Sequence, residues 1–206
     1  MKKVLHVGCA KHTLANMPEG FQGGDWQEVR FDINPDCKPD IVGTILDMEA
    51  VPDESMDAIF SSHNIEHVFF HEVPTVLKEF RRVLKPDGFC VIFCPDIQEV
   101  AKSMAEGLLD EPLYHAKSGP ITPLDIMYGH SKSIKNGRVY MAHKTGFSLK
   151  LLAKRVERAG FRRYRGSRIR HQHELRIVAS KGPMDQDGIS SLFEAYTKIN
   201  RAPQPQ

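Results

Sequence analysis

Short apolar runs and amphipathic segments alternate through the first hundred residues of the chain. Apolar runs of strand length predict five β-strands, over residues 4–7, 28–32, 40–46, 56–62 and 89–94. Between the last two runs, apolar side chains recur at helical spacing, which predicts a helix over residues 73–85. Pro74 suits the first turn of this helix and Pro86 ends it. The alternation is typical of an α/β domain with an open, doubly wound, mostly parallel sheet.

The regular alternation of strand and helix patterns is absent over residues 95–146. Prolines are frequent there, and helical stretches such as residues 97–109 are weak. A long connection of this kind usually has a function. Because it follows the fifth strand, we expect an insertion that forms a lid over the carboxyl ends of the strands.

Regular patterns return after this insertion. Ser148 is suited to cap a helix whose apolar stripe ends at Gly160. Residues 161–170 and 174–180 then have the composition of two strands. The connection between these strands is tight, which favours antiparallel pairing.

The length of 206 residues suits one domain with an insertion. We expect a single domain over residues 1–182 that includes the lid, followed by a short helix and tail over residues 183–206. The helix is expected near residues 190–199, and the final RAPQPQ is expected to fray.

The composition indicates a soluble cytoplasmic protein. Hydrophobic residues make up 41% and charged residues 26%, which are ordinary values for a globular domain. No apolar run approaches the roughly 20 residues of a membrane span, and the apolar run at the start is too short for a signal peptide. The four cysteines lack the spacing of a zinc site and are expected to be reduced thiols.

The net charge of +2 hides an uneven distribution of charge. Residues 1–100 carry 9 basic and 17 acidic side chains, whereas residues 150–181 carry 11 basic and 2 acidic ones. A basic segment can mark an anionic partner. The alternative interpretation is a solvated helix and hairpin that happen to be basic.

Candidate binding residues follow the predicted strands. In an open α/β sheet, ligands bind beyond the carboxyl ends of the strands. Asp32 ends the second strand, where a carboxylate can accept hydrogen bonds from two ribose hydroxyls, and Asp47 after the third can accept from an exocyclic amine. Residues 8–12 lack the glycine pattern of a dinucleotide-binding loop, so the sequence predicts a nucleoside pocket without a diphosphate site.

Six segments of the sequence carry a family resemblance. They are LHVGCAKH, VRFDINP, DIVGTILDM, MDAIFSSHNIEHV, VLKEFRRVLKPDGFCVIFCPD and HKTGFSLKLLAKRVERAGF. In this order they resemble class I S-adenosylmethionine-dependent methyltransferases, over about residues 3–95 and 143–180. The chain looks most like small bacterial members whose fourth strand ends in Ser-His-x-x-Glu-His. The resemblance implies a Rossmann-like, seven-stranded sheet with one antiparallel strand, and S-adenosylmethionine as cofactor.

The resemblance implies that Gly8 brings the backbone close to the methionine part of the cofactor, with Cys9 and Ala10 continuing the loop. The sequence departs from the family at two points. Ala10 stands where a second glycine is usual, and residues 11–25 leave little room for the long helix that normally follows the first strand. We therefore expect a shortened first helix.

The other residues implied to bind the cofactor are Asp32, Ile33, Asp47, Met48, Ser62 and His63. Asp32 would bind the ribose, while Asp47 and the Met48 backbone would hold the adenine. Ser62 and His63 would border the sulfonium.

The catalytic candidates are residues that could take a proton from the acceptor. A general base works best with a pKa near the working pH, which favours histidine. His63 and His143 are the first candidates, and Asp96, after the fifth strand, is the third. His63, Glu66 and His67 have a spacing that could hold a metal, but hydrogen-bonded histidines around the cofactor are the favoured interpretation, and no metal is expected.

The predicted function is methyl transfer to an oxygen or nitrogen of a small-molecule or glycan-like acceptor, which the basic segment suggests could be anionic. One alternative is a non-catalytic S-adenosylmethionine-binding or regulatory protein, suggested by Ala10 and the short first helix. Another is an RNA methyltransferase, suggested by the basic segment. The sequence lacks the aromatic-rich basic platform and the appended module typical of nucleic-acid binders, which argues against RNA.

Overall fold

A computed structural model describes residues 1–116 and 119–199. Its nine strands are β1 Lys2–Val7, β2 Trp26–Asp32, β3 Ile41–Val42, β4 Met56–Ser62, β5 Leu84–Pro95, β6 Tyr114–Ala116, β7 Gly119–Ile121, β8 Arg163–Ile169 and β9 Glu174–Ser180. Seven of them form one sheet in the order β3-β2-β1-β4-β5-β9-β8, and β6 and β7 form a separate hairpin. Within the large sheet β9 runs in the opposite direction to the other six strands. The doubly wound, mostly parallel sheet with one antiparallel strand is therefore confirmed.

Helices cover both faces of this sheet. They are α1 Val73–Val83, α2 Ile97–Ala105, α3 Pro123–Tyr128, α4 Ser131–Lys135, α5 Leu149–Arg158 and α6 Gln186–Thr197. Apolar side chains of α1 and α5, including Phe80 and Leu152, pack in one core with Ile59 and Ile92 of the sheet. In the described part of the chain, no helix has the length and apolar character needed to cross a membrane.

The connection between β1 and β2 contains no α-helix. It has only two short 3-10 turns, Leu14–Asn16 and Glu19–Phe21, which confirms the expected shortening. Phe21 is fully buried, with its ring 5.1 Å from that of Trp26 and 4.6 Å from that of Tyr196 in α6. The C-terminal helix thus closes the sheet face over which the short connection runs.

Some element boundaries differ from the sequence-based expectation. The third strand is only Ile41–Val42, because the next residues form a turn in which the Asp47 N–H donates to the Thr44 carbonyl at 3.2 Å. The last helix is Gln186–Thr197 and so begins four residues before the predicted start. The predicted tail, RAPQPQ, lies outside the described residues.

The segment between β5 and α5 contacts the carboxyl end of the sheet. Asn34, which follows β2, donates from Nδ2 to the Tyr140 hydroxyl at 3.0 Å. The Glu66 carbonyl accepts from the N–H groups of Lys144 at 2.8 Å and Thr145 at 3.2 Å. The described part of this segment therefore reaches the ends of both β2 and β4.

The predicted N-cap of α5 is present, since Ser148 Oγ accepts from the Leu151 N–H at 3.4 Å. Ser148→Ala should therefore lower the free energy of unfolding by about 1 kcal/mol, the usual contribution of an N-cap hydroxyl. Urea denaturation of the purified variant measures this. Ser148→Thr, which keeps a capping hydroxyl, is the matched control and should lose less stability than the alanine variant.

Candidate active site

A tight turn follows β1 at the carboxyl edge of the sheet. Gly8 has a φ of +64°, and a Cβ there would lie 2.7 Å from Asn64 Cγ, so the position requires glycine. Ala10 also lies in the left-handed region, with a φ of +46°. The alanine thus adopts a conformation that the family's usual glycine would adopt without strain. Cys9 is buried between them, and burial raises the pKa of its thiol to about 11.

Asp32 joins this turn to the end of β2. Its Oδ2 accepts from the Ala10 N–H at 2.7 Å, and its Oδ1 accepts from the Asn34 N–H at 2.8 Å. Each carboxylate oxygen keeps a further lone pair for another donor. Asp32 is therefore both an anchor of the glycine turn and an acceptor at the strand end. Ile33 beside it is 54% exposed, an apolar side chain at the edge of the site.

Asp47 and Met48 lie beyond β3 in different environments. Asp47 is exposed, and its Oδ1 accepts from the Glu49 N–H at 3.2 Å. Met48 is fully buried, its N–H donates to Glu79 Oε2 at 2.8 Å, and its carbonyl accepts from Arg82 at 2.9 Å. The Met48 backbone groups that the resemblance assigns to adenine are therefore bonded to side chains of α1.

Two buried polar groups within residues 61–64 make no hydrogen bond within the described chain. They are the Ser61 hydroxyl, at the end of β4, and the Asn64 side-chain amide Nδ2. Asn64 faces Gly8 across the turn, and Ser62 lies between these two groups in sequence. Because buried polar groups are normally bonded, the pair is suited to polar atoms of a ligand such as the methionine part of S-adenosylmethionine.

His63 lies between two buried carboxylates. Its Nε2 is 2.9 Å from Glu174 Oε2, and its Nδ1 is 3.6 Å from Glu66 Oε1. The side chain is 43% exposed, but both nitrogens face these acids. Desolvation opposes the charged imidazole, yet the bond to Glu174 and the nearby carboxylate of Glu66 outweigh it and raise the pKa of His63 to about 10. An imidazolium has no lone pair, which a general base requires.

Three side chains converge beside His63. Ligand atoms of Glu66, His67 and His143 all lie within 4.8 Å of one another. Burial opposes ionisation of Glu66, but the neighbouring histidines, His63 foremost, hold the pKa of its carboxyl below the ordinary value. Burial also lowers the pKa of His143, and the nearby Glu66 offsets this only in part. The His143 imidazole is therefore neutral near pH 7.

Asp96 is fully buried at the start of α2, where its contacts stabilise the fold. Its Oδ1 accepts from the N–H groups of Gln98 at 3.1 Å and Glu99 at 3.4 Å, as an N-cap does. Its Oδ2 is paired with Arg168 Nε at 2.5 Å. Both carboxylate oxygens are thus engaged within the protein.

A cavity of about 110 Å³ lies between the carboxyl edge and the segment between β5 and α5. Its walls include both titratable and apolar side chains, among them His63, Tyr114, Ile126, Met141, His143 and His173. The two histidines proposed as catalytic residues both line this cavity, whereas Asp96 does not.

The basic segment 150–181 is partly neutralised within the fold. Arg168 pairs with Asp96 and with Glu99 of α2, Arg176 with Glu174 at 2.7 Å, and Lys181 with Glu54 at 3.0 Å. These pairs leave less positive charge for an anionic partner than the sequence count suggests.

Sequence reasoning did not assign a role to Asn64 or Glu174. Asn64 stands inside the quoted SSHNIEH segment, between residues that were assigned roles, so the segment itself was the available signal. Glu174 is one of two acids in the basic segment, and its partner His63 is 111 residues away, a pairing that no local pattern reveals.

Comparisons with known proteins agree with this geometry. Residues 5–92, less than half of the chain, match the family described as "Methyltransferase domain". No curated protein sequence matches the chain.

Several solved structures share the fold. The PH0226 protein of Pyrococcus horikoshii OT3 is 15% identical, with a TM-score of 0.58 over 86% of this chain and 81% of that one. A SAM-dependent methyltransferase from Methanosarcina mazei is 15% identical, with a TM-score of 0.58 over 88% and 93%. A Burkholderia thailandensis 1,6-didemethyltoxoflavin-N1-methyltransferase is 14% identical, with a TM-score of 0.55 over 88% and 71%. The family match and the fold together support an enzyme of the class I, S-adenosylmethionine-dependent methyltransferase type.

Proposed function

We propose that the chain transfers a methyl group from S-adenosylmethionine to an oxygen or nitrogen of a small-molecule or glycan-like acceptor. The observation that carries this proposal is the carboxyl edge of the sheet. There the glycine turn anchored by Asp32 lies against Asn64, whose buried Nδ2, like the buried Ser61 hydroxyl, has no hydrogen-bond partner among the described residues. We further propose that the enzyme is of the small bacterial type with Ser-His-x-x-Glu-His after the fourth strand.

The cofactor-binding residues follow from this edge. The Gly8–Cys9–Ala10 turn and Asn64 would hold the methionine part, and Asp32 would accept from the ribose hydroxyls. Ile33 would pack against the adenine. The remaining positions that we propose at this site are Asp47, toward the adenine, and Ser62 and His63, beside the sulfonium. Met48 would contribute only if its backbone exchanged its present partners in α1.

Bound S-adenosylmethionine supplies an electrophilic methyl group, which an acceptor lone pair takes while the carbon–sulfur bond breaks and S-adenosylhomocysteine leaves. The protein has to align the acceptor for in-line attack and remove its proton. We propose that His143 activates the acceptor. Its Nδ1 is bonded to the Ile126 carbonyl at 2.7 Å, which leaves the Nε2 lone pair available beside the cavity.

A small acceptor is favoured over RNA by two observations. The cavity beside His143 is small, about 110 Å³, and most of its lining residues belong to the segment between β5 and α5. Basic side chains that could contact phosphates, such as Arg168 and Lys181, are paired with acids of the protein. The Burkholderia thailandensis structure, with 1,6-didemethyltoxoflavin and S-adenosylhomocysteine bound, is an example of this fold with a small molecule.

S-adenosylhomocysteine should stabilise the protein, because a ligand that binds only the folded state raises the free energy of unfolding. At ten times its Kd the gain is about 1.4 kcal/mol. For a chain of this size that corresponds to a rise in Tm of about 3–6 °C. A thermal-shift titration checks this, with NAD as the control ligand that should give no shift. Absence of a shift at millimolar S-adenosylhomocysteine, or a larger shift with NAD, would contradict the cofactor assignment.

A further inference from the structure

We propose that Glu66, His67 and His143, named here the carboxylate–histidine cluster, bind a divalent transition-metal ion such as Zn²⁺ next to the acceptor cavity. The role of this ion in acceptor activation rests on the proposed function, but its binding does not. Sequence reasoning expected no metal and grouped His63 with Glu66 and His67. The fold instead brings in His143, 76 residues after His67 along the chain.

The first argument is the state of Glu66. Its side chain is only 1% exposed, and neither carboxylate oxygen makes a hydrogen bond to any described residue. Its ion-pair contacts among the described residues are long, with His63 Nδ1 at 3.6 Å and His143 Nε2 at 4.0 Å. A buried carboxylate normally has close partners, since leaving it unpaired is costly. A bound cation would supply the missing partner.

The second argument is the orientation of the two histidines. His67 Nδ1 lies 3.1 Å from the Ala142 carbonyl, and His143 Nδ1 lies 2.7 Å from the Ile126 carbonyl. A carbonyl can only accept, so each imidazole must donate from Nδ1. In the unprotonated form of either ring, the lone pair is therefore at Nε2. Metal-binding histidines typically have this arrangement, in which one ring nitrogen is held by an oxygen and the other is the ligand.

The third argument is distance. In a tetrahedral site with bonds of about 2.1 Å, two ligand atoms lie about 3.4 Å apart. The His143 Nε2 to Glu66 Oε1 separation of 4.0 Å would have to close by about 0.6 Å. The largest separation in the cluster, under 4.8 Å, would have to close by no more than about 1.4 Å. Binding would therefore require small rotations of the half-buried His67 and His143 rings and of the Glu66 carboxylate.

The ligand set indicates the ion and its use. Two imidazole nitrogens and one carboxylate oxygen suit Zn²⁺ and related transition metals better than Mg²⁺ or Ca²⁺. Three protein ligands leave a coordination position open, as in catalytic rather than structural zinc sites. Because His143 lines the cavity, that position would face an acceptor hydroxyl or amine. The ion would bind the acceptor atom and make its proton easier to lose.

The competing arrangement is a purely ionic one, in which His63 neutralises Glu66. His63 also bonds Glu174 through Nε2 at 2.9 Å. It therefore keeps a carboxylate partner when Glu66 turns toward an ion, so the two arrangements are compatible.

Isothermal titration of the full chain with Zn²⁺, after dialysis against a chelator, tests the site. We expect one Zn²⁺ per chain, with His67→Gln and His143→Gln each weakening affinity by at least about 10-fold, since even loss of an outer partner costs 10- to 100-fold. His71→Gln is the matched control, an exposed histidine four residues after His67. Glu66→Gln, of the same size, should weaken binding comparably.

Circular dichroism, and the rise in Tm on adding S-adenosylhomocysteine, show whether each variant is folded. Zn²⁺ affinity that is the same in the wild type and in both histidine variants would overturn the site, as would no binding to a folded wild type. An S-adenosylhomocysteine shift without Zn²⁺ binding leaves the proposed function in place and removes only the metal. Specific Zn²⁺ binding without a Tm shift from S-adenosylhomocysteine would support the metal site and contradict the cofactor assignment.

Discussion

Replacing His143 with alanine should lower the rate of methyl transfer by about 100- to 10,000-fold, the range typical of a lost proton-transfer group. Cofactor affinity should change by less than about threefold, or well under 1 kcal/mol. His143 is bonded to the Ile126 carbonyl, lies near Glu66 and lines the cavity proposed for the acceptor, which Gly8, Cys9 and Ala10 do not line. Loss of Nε2 removes the activating group, whether it takes the acceptor proton itself or binds the ion that does so.

The measurement needs an acceptor, found by screening candidate molecules with labelled S-adenosylmethionine. Single-turnover rates are then compared with S-adenosylhomocysteine titrations for each variant. His115→Ala is a suitable control, because His115 is an exposed residue of the β6–β7 hairpin. A His143→Ala enzyme that transfers methyl groups at the wild-type rate would show that activation lies elsewhere.

His63→Ala is a less clear test of the same chemistry. His63 bonds Glu174 and faces Glu66, both almost fully buried. Removing it leaves buried Glu66 without the cation at 3.6 Å, although Glu174 keeps Arg176, and this destabilises the fold in addition to any effect on transfer. A slow His63→Ala enzyme would therefore not distinguish a catalytic from a structural role.

Local patterns predicted the sheet well because buried strands appear in the sequence as short apolar runs. The β4 and β9 bounds, 56–62 and 174–180, match the predicted ranges, since each is a short apolar run with clear ends. The predicted length of the third strand, residues 40–46, was too great, because residues 44–47 form a turn although their composition resembles that of a strand. A turn bond of this kind is set by side-chain chemistry rather than by periodicity.

The acceptor side could be predicted only in part. His63 and His143 were singled out as residue types, but their different environments depend on partners far away in sequence. Glu174 contacts His63 from β9, and His67 meets His143 only because the irregular segment after β5 folds back over the edge of the sheet. No periodic pattern in the sequence predicts the path of such a segment or these contacts. The same holds for Met48, whose backbone groups are taken by α1.

Replacing Asp32 with alanine should weaken cofactor binding by about 10- to 100-fold, because hydrogen bonds to a charged acceptor contribute roughly 1.5–3 kcal/mol. The variant should remain folded, since Asp32 lies at a strand end. Two effects act in the same direction: the ribose hydroxyls lose their acceptor, and the Ala10 N–H loses the bond that fixes the glycine turn. Calorimetric titration with S-adenosylhomocysteine measures the loss, with exposed Asp36→Ala as control. Unchanged affinity in a folded Asp32→Ala protein would reduce Asp32 to a turn residue and place the nucleoside elsewhere.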